Sequence, residues 1–142
     1  MQVFKFGGAS VKDAEGIKNL TAVLEIYKGE KLLIVVSAMG KTTNALEKLA
    51  ESYFNQQDDT HEIFEDLKKY HFDILDQLFK DHQHPVFDDI SNTFVEIDWI
   101  IEDEPVDGFD FIYDQMVSMG EIISTRIISH YLNFIGINNT WL

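Results

Sequence analysis

The spacing of apolar residues changes twice within the first third of the chain, and each change predicts a different element. β-forming residues ahead of a Gly-Gly pair predict a strand followed by a turn across Val3 to Val11. Apolar residues then recur at helical spacing from Asp13 to Tyr27, and Gly29 is placed to end that helix. Lys31 to Ser37 is an unbroken apolar run rich in β-branched residues, which is typical of a parallel strand buried on both faces. The pattern predicts a strand–helix–strand unit.

Helical spacing resumes after the second strand. Thr42 or Thr43 is placed to cap a helix whose apolar face carries Leu46, Leu49 and Tyr53. From Gln56 to Ile101 two further apolar stripes follow, and Pro85 suits the first turn of the second one. We therefore predict a helical hairpin in this region, with most of its carboxylates on the outer faces.

The remainder of the chain predicts one long helix after a polar linker. Glu102 to Asp110 is the linker, and Phe111 to Phe134 carries the helical stripe. Gly136 is a credible stop for that helix. Asn138 to Leu142 then reads as the beginning of a third strand.

Composition limits the class of protein. The 142 residues suffice for one domain with a real core, and 45% of them are hydrophobic, which excludes a disordered chain. A formal charge of −14 argues against nucleic acid or an anionic membrane as a partner. Because cysteine is absent, a disulfide framework and a thiolate zinc site are excluded. No apolar run is long enough to span a bilayer, and no signal peptide precedes the first strand, so we expect a cytoplasmic protein.

The first turn carries the clearest candidate chemistry. Lys5 lies near the carboxyl end of the predicted strand, and Gly7 and Gly8 follow it ahead of a helix. Glycines let backbone N–H groups approach a bulky anion, and the helix start adds a positive dipole end. Together they describe a phosphate cradle, although an ordinary turn beside a surface lysine fits the same residues. Ser37 to Gly40 should face this turn, because the carboxyl ends of parallel strands share one edge.

Two other polar groups have both functional and structural interpretations. A glycine inside a helix costs about 1 kcal/mol relative to alanine, so Gly120 beside Glu121 indicates close approach of a ligand, a backbone or a neighbouring helix. His82 and His84 flank the break in the hairpin, but no third ligand of the right kind accompanies them. We interpret these histidines as structural.

Three segments resemble the motifs of the aspartate kinases, in the amino acid kinase superfamily. Lys5 to Val11 (Lys-Phe-Gly-Gly-Ala-Ser-Val) is similar to the family's N-terminal signature, in which Thr stands at the position of Ala9. Ser37 to Asn44 resembles the family's Ser-Ala…Thr-Asn loop, and Ser118 to Glu121 resembles its Ser-x-Gly-Glu motif. The Ala9 departure removes any hydroxyl contact at that position but leaves the backbone cradle unaffected.

The resemblance implies a fold and a domain organisation. It implies an α/β, parallel-sheet amino acid kinase-like fold with a helical excursion, at about residues 56–107, between the second and third strands. Residues 1–142 would then be the N-terminal portion of the catalytic domain, truncated within it. The remainder of that domain and any regulatory domains would lie outside this chain.

The implied reaction is transfer of a phosphoryl group from ATP to the side-chain carboxylate of L-aspartate, the first step of lysine, threonine and methionine biosynthesis. By resemblance Lys5 is the catalytic residue and also binds ATP phosphate, together with Gly7, Gly8 and Ser10. The implied aspartate-binding residues are Ser37, Thr43 and Glu121. Mg²⁺ is implied with ATP, with no ligand assigned, and the full-length protein is expected to be a homo-oligomer.

Two alternatives remain open at the level of sequence. Acetylglutamate, glutamate and carbamate kinases share a similar Lys-x-Gly-Gly start, and a carboxylate at Glu121 favours a substrate with a free ammonium group over acetylated or carbamate substrates. A non-catalytic anion-binding module would use the same turn. We expect this chain on its own to be inactive.

Overall fold

A computed structural model describes all residues from Met1 to Leu142 and begins with the predicted strand–helix–strand unit. Strand β1 (Gln2–Phe6) and strand β2 (Leu32–Val36) pair in parallel, with Lys5 opposite Val35. Helix α1 (Ala14–Ile26) connects them. The prediction of a parallel βαβ unit is confirmed.

Local capping signals set the limits of α1. A short 3₁₀ turn, Gly8–Val11, leads from β1 toward the helix. The Asp13 carboxylate then accepts a 2.8 Å hydrogen bond from the Gly16 N–H, which satisfies a free donor at the helix start. Gly29 has a φ of +94°, but it lies two residues beyond the C-cap Tyr27, in the turn that follows the helix. We call residues 7–11 the glycine turn.

Only one face of the sheet is buried, so the prediction of a strand buried on both faces is wrong for β2. Leu33 and Val35 are 36% and 42% exposed, and Val3 beside them on β1 is 58% exposed. Phe4 and Ile34, on the opposite face, pack against the core. The reason is that the core packs against the face of Phe4 and Ile34 alone, so the apolar side chains of Leu33 and Val35 stay exposed.

The predicted helical hairpin is confirmed. After α2 (Thr42–Phe54), helices α3 (Thr60–Leu78) and α4 (Pro85–Glu102) follow in succession and contact each other. Pro85 occupies the first turn of α4, where its missing N–H leaves no bond unmade. The His84 ring caps this helix, because its Nδ1 accepts a 3.1 Å hydrogen bond from the Val86 N–H. We refer to α3 and α4 together as the helical excursion.

The long C-terminal helix is interrupted, which corrects the prediction of one helix over residues 111–134. Helices α5 (Phe109–Val117) and α6 (Met119–Phe134) meet at Ser118. The Ser118 hydroxyl donates to the Gln115 carbonyl at 3.0 Å, and the Ile122 N–H reaches the Ser118 carbonyl only at 3.4 Å. A serine that bonds back to the preceding turn bends a helix. The backbone of Ser118 itself stays helical, so α6 follows α5 directly and the interruption is confined to this residue.

Helix α6 ends at the predicted glycine, whereas the residues after it do not form the predicted strand. Gly136 has a φ of +90°, and the Ile137 N–H donates to the Leu132 carbonyl at 2.8 Å, as in a Schellman motif. Residues 138–142 form no third strand, so the sheet has two strands. Instead the Asn139 N–H donates to the Asn133 side chain at 2.9 Å, and the Asn139 amide donates to the Ser129 carbonyl. Side chains of α6 hold this segment away from strand pairing.

The core joins the helices to the buried face of the sheet. It is one cluster of 30 buried residues, and every helix contributes to it. Phe64 and Phe94 contact edge to face between α3 and α4, with ring centroids 6.1 Å apart. None of the helices is both long enough and apolar enough to cross a membrane.

Candidate active site

The glycine turn and the loop after β2 meet at the carboxyl edge of the sheet, as predicted. The Gly40 N–H donates a 3.0 Å hydrogen bond to the Gly8 carbonyl. A Cβ atom at Gly8 would lie 2.6 Å from the Ala38 carbonyl oxygen, so no larger residue fits there without a backbone shift. We call residues 37–41 the β2–α2 loop. Gly8 is therefore the residue that lets the two segments touch.

The glycine turn leaves donors open beside a positive charge. Its first internal hydrogen bond runs from the Ser10 N–H to the Gly7 carbonyl at 2.9 Å, so the N–H groups of Gly8 and Ala9 have no partner within the turn. Lys5 is exposed in the strand immediately before it. Nothing lies within 4 Å of the Cβ position of Gly7, so the space beside the backbone is open. Such a set of donors and charge suits an anion.

Ser10 lies at the far side of this turn. It is exposed and borders a cleft of about 480 Å³ that runs along α1. The carboxylates of Asp13 and Glu15 also line that cleft. Their negative charge makes the cleft itself a poor place for phosphate, so the open donors of Gly8 and Ala9 mark the better anion position.

The start of α6 packs against the same edge through Gly120. A Cβ atom there would lie 2.9 Å from the Ala38 Cβ and 3.2 Å from the Leu46 Cδ1. The costly glycine therefore permits close packing of α6 on the β2–α2 loop and on α2. Of the alternatives left open by the sequence, packing explains Gly120.

Ser124 brings two predicted substrate-binding residues together, and sequence reasoning missed it. Its hydroxyl is fully buried and lies 2.9 Å from the Ser37 carbonyl oxygen and 3.2 Å from the Glu121 carbonyl oxygen. Ser37 and Glu121 are thus neighbours through one hydroxyl, although they are far apart in the chain. A serine inside the apolar stripe of a helix, three residues after a candidate glutamate, was the available signal.

The threonines at the start of α2 have different roles from the predicted cap. The residue that precedes the helix is Lys41, and no side chain caps it, so the prediction of a Thr42 or Thr43 cap is wrong. Thr42 is buried, and its hydroxyl lies 3.3 Å from His71 Nε2 on α3. The Thr42 hydroxyl is therefore paired with a buried imidazole and does not cap the helix. Thr43 is half-buried in the first turn of α2, directly after the β2–α2 loop.

Two side chains of helix α3, Tyr70 and His71, contact residues next to the site. The Tyr70 hydroxyl donates to the Lys12 carbonyl, next to the glycine turn. Burial, and then the charge of Asp13, raise the pKa of Tyr70. Burial lowers the pKa of His71 to about 4, although its bond to the Leu67 carbonyl opposes this. Tyr70 is therefore a protonated donor and His71 a neutral ring near pH 7.

The histidines at the hairpin break are accounted for by other contacts. His82 Nε2 lies 3.2 Å from the Asp76 carboxylate, and His84 caps α4. No group of three histidine, aspartate or glutamate side chains is placed to hold a metal ion. His130 and Arg126 on α6 both contact the Asp89 carboxylate, at 2.8 Å and 3.2 Å. Asp89 therefore joins α4 to α6.

Comparison with known proteins adds relatives to this geometry. Aspartokinase 2, chloroplastic, of Arabidopsis thaliana is 33% identical in an alignment of 141 residues that covers 94% of this chain and 25% of that protein. Bifunctional aspartokinase/homoserine dehydrogenase 2 of Escherichia coli is 27% identical over 99% of this chain and 17% of that protein. The chain thus spans a quarter or less of the length of these relatives.

Solved structures and a family model agree with these relatives. Escherichia coli aspartokinase III in complex with lysine and aspartate superposes with a TM-score of 0.83 at 26% identity, over all of this chain and 31% of that one. The same enzyme in complex with aspartate and ADP gives the same values. The model of the amino acid kinase family matches residues 1–142. This chain belongs to the amino acid kinase family.

Proposed function

We propose that this chain is the N-terminal portion of the catalytic domain of an aspartate kinase. The reaction transfers a phosphoryl group from ATP to the side-chain carboxylate of L-aspartate and yields 4-phosphoaspartate and ADP. Support comes from the aspartokinases among its relatives and from a similar structure that contains aspartate and ADP. The remainder of the catalytic domain and any regulatory domains lie outside these residues.

One observation carries the proposal: the glycine turn, the β2–α2 loop and the start of α6 meet at one edge of the sheet. Gly8 touches the β2–α2 loop, and Gly120 at the start of α6 touches the same loop. The Ser124 hydroxyl then lies within hydrogen-bond distance of the carbonyl oxygens of both Ser37 and Glu121. Phosphoryl transfer needs such proximity, because catalysis depends mainly on positioning and on neutralising charge.

The phosphate side of the site consists of one full charge and backbone donors. Lys5 supplies a cation for the transferring phosphoryl group, as a point charge that follows it between donor and acceptor. The N–H groups of Gly7 and Gly8 bind phosphate oxygens, and the open N–H of Ala9 lies next to them. The Ser10 hydroxyl, at the border of the acidic cleft, is a further donor. Mg²⁺ arrives with ATP as part of the substrate, and we assign it no ligand in this chain.

The substrate side recognises aspartate by its charges. Ser37 and Thr43 bind and orient the substrate, and the Glu121 carboxylate pairs with its ammonium group. The nucleophile is a carboxylate that is already ionised at pH 7, so the reaction requires no general base. This accords with the state of His71, which contacts Thr42 at the start of α2 and is fully buried.

The wider context of the enzyme follows from this assignment. The product would enter lysine, threonine and methionine biosynthesis, and the full-length protein would form a homo-oligomer. A cytoplasmic location stays a prediction, as does the absence of nucleic acid and membrane partners. Residues 1–142 alone should lack turnover, because catalysis by positioning fails when one reactant is not held.

Hydroxamate formation tests the proposal directly. The full-length protein that contains this chain, given ATP, Mg²⁺, hydroxylamine and L-aspartate, should form aspartyl hydroxamate and ADP. Parallel reactions with N-acetylglutamate, glutamate and carbamate test the related kinases. Turnover with one of these and none with aspartate would contradict the substrate assignment, and ATP binding without turnover on any would favour a non-catalytic anion-binding module.

A further inference from the structure

We propose that Tyr70 is a positioning residue that fixes the glycine turn against the β2–α2 loop. It lies on α3, in the helical excursion, outside the three segments that carry the sequence resemblance. The inference rests on the proposed function, because it concerns the alignment of the phosphate donor with the acceptor. Its structural part concerns contacts alone and can be tested without turnover.

The Tyr70 hydroxyl lies where two backbone segments meet. It donates to the Lys12 carbonyl, which directly follows the glycine turn. It also lies 2.6 Å from the Cβ position of Gly40 in the β2–α2 loop. The Lys12 Cβ is 3.5 Å from that same position. One phenol therefore lies against Lys12, at the end of the glycine turn, and against the β2–α2 loop.

The conformation of Gly40 leaves this space to the phenol. Gly40 has a φ of +54°, which favours glycine, and any side chain there would collide with the Tyr70 oxygen. The Gly40 N–H meanwhile donates to the Gly8 carbonyl. The Tyr70 hydroxyl, bonded to Lys12 and packed beside Gly40, thus lies next to the hydrogen bond by which Gly40 joins the two segments.

The neighbouring residue holds α3 in register with the site. His71 Nε2 lies 3.3 Å from the Thr42 hydroxyl, at the point where the β2–α2 loop becomes α2. The ring is fully buried, and its Nδ1 is bonded to the Leu67 carbonyl at 2.8 Å. Because the ring is fixed at both nitrogens, Tyr70 is presented to Lys12 and Gly40 from a rigid helix.

This arrangement predicts a specific kinetic signature. Tyr70 lies against residues next to the proposed phosphate and aspartate contacts, but it contacts neither substrate. Its loss should therefore leave each substrate able to bind. Misalignment of the bound reactants lowers kcat, because effective molarity depends on geometry. We therefore expect an effect on kcat without a comparable effect on the KM of ATP or of aspartate.

The test compares Tyr70→Phe with Tyr113→Phe in the full-length protein. Tyr113 is the matched control, since its hydroxyl donates at 2.6 Å to Glu47, in a contact between α5 and α2 away from the glycine turn. Calorimetric titration with ADP gives the binding-competent fraction, by which kcat is normalised. Tyr70→Phe should lower kcat by about tenfold and change either KM by less than about twofold. Tyr113→Phe should change neither.

Amide hydrogen exchange tests the contact itself. The Gly40 amide should exchange faster in Tyr70→Phe than in the wild type, and at the wild-type rate in Tyr113→Phe. Equal exchange at Gly40 in all three proteins, or a kcat effect no larger than that of the control, would overturn the inference. A wild type that does not phosphorylate aspartate would refute the proposed function, and the exchange result would still decide whether Tyr70 joins the two segments.

Discussion

The carboxyl edge of the sheet and the helical excursion are built from different chemistry. At the edge, glycines and short polar residues bring backbones together, as Gly8 does with Ala38. In the excursion, aromatic rings such as Phe64 and Phe94 fill a core. The edge exposes donors and charge to a ligand, whereas the excursion contributes stability and presents Tyr70. The proposed ligand contacts thus belong to the edge, and the excursion reaches that edge through Tyr70 and His71.

The largest expected effect comes from the charge at the edge. Lys5→Ala in the full-length protein should lower kcat by at least about 10³, because it removes a cation used mainly in the transition state. Stability should hardly change, since Lys5 is exposed. Steady-state kinetics with circular dichroism measures both. Lys28→Ala, an exposed lysine at the end of α1, is the control, and a Lys5→Ala rate within tenfold of the wild type would contradict its role.

A pair of adjacent glycines tests whether close backbone approach holds the edge. Gly8→Ala places a Cβ 2.6 Å from the Ala38 carbonyl oxygen and should cost about 3 kcal/mol of unfolding free energy, as overpacking does. Gly7→Ala meets no atom within 4 Å and should change stability by less than about 0.5 kcal/mol. Urea unfolding of both variants measures the difference. Equal costs would show that contact at Gly8 does not determine the edge.

The proposed aspartate contacts can be tested separately from the proposed phosphate contacts. Glu121→Gln should raise the KM of aspartate by roughly 30-fold, because it removes a charged partner of the substrate ammonium group. The KM of ATP should stay within about twofold. Gln115→Ala, an exposed position on α5, serves as the control. Similar increases in both KM values would assign Glu121 to helix packing.

The smallest effect belongs to the excursion and depends on pH. Burial lowers the pKa of His71 from 6.5 to about 4, so between these values the unfolded chain binds a proton that the folded chain does not. The resulting stability is intact above pH 6.5 and is lost as pH falls toward 4. Between pH 7 and pH 5 this group should remove about 2 kcal/mol.

Urea unfolding of the wild type and of His71→Gln at both pH values isolates this contribution from that of the carboxylates. His61→Gln, at an exposed position on α3, is the control and should retain the wild-type dependence on pH. An identical pH dependence in His71→Gln would contradict a neutral buried ring. Because His71 contacts Thr42 and no open donor of the site, neither substitution should affect the ratio of the two KM values.

Much of the fold and the position of the site could be predicted from local patterns. The strand–helix–strand unit, the first turn of α4 at Pro85 and the end of α6 at Gly136 depend on residues that are near neighbours in the chain. The meeting of the glycine turn with Ser37–Gly40 followed from parallel pairing alone. The site roles of Lys5 and Glu121 stay predictions, because they concern ligands that geometry alone does not identify.

The sequence by itself determined both strands and most of the helix limits, because caps, turns and periodicity act within a few residues. Only the tertiary structure decided which partner each polar group takes. Thr42 contacts His71 instead of capping α2. Ser118 interrupts a helix that the apolar stripe predicts to be continuous. Asn139 bonds to α6, where a strand was predicted. A hydroxyl or amide can bond to several acceptors at similar free energy, so the choice depends on which groups folding brings within 3 Å or so.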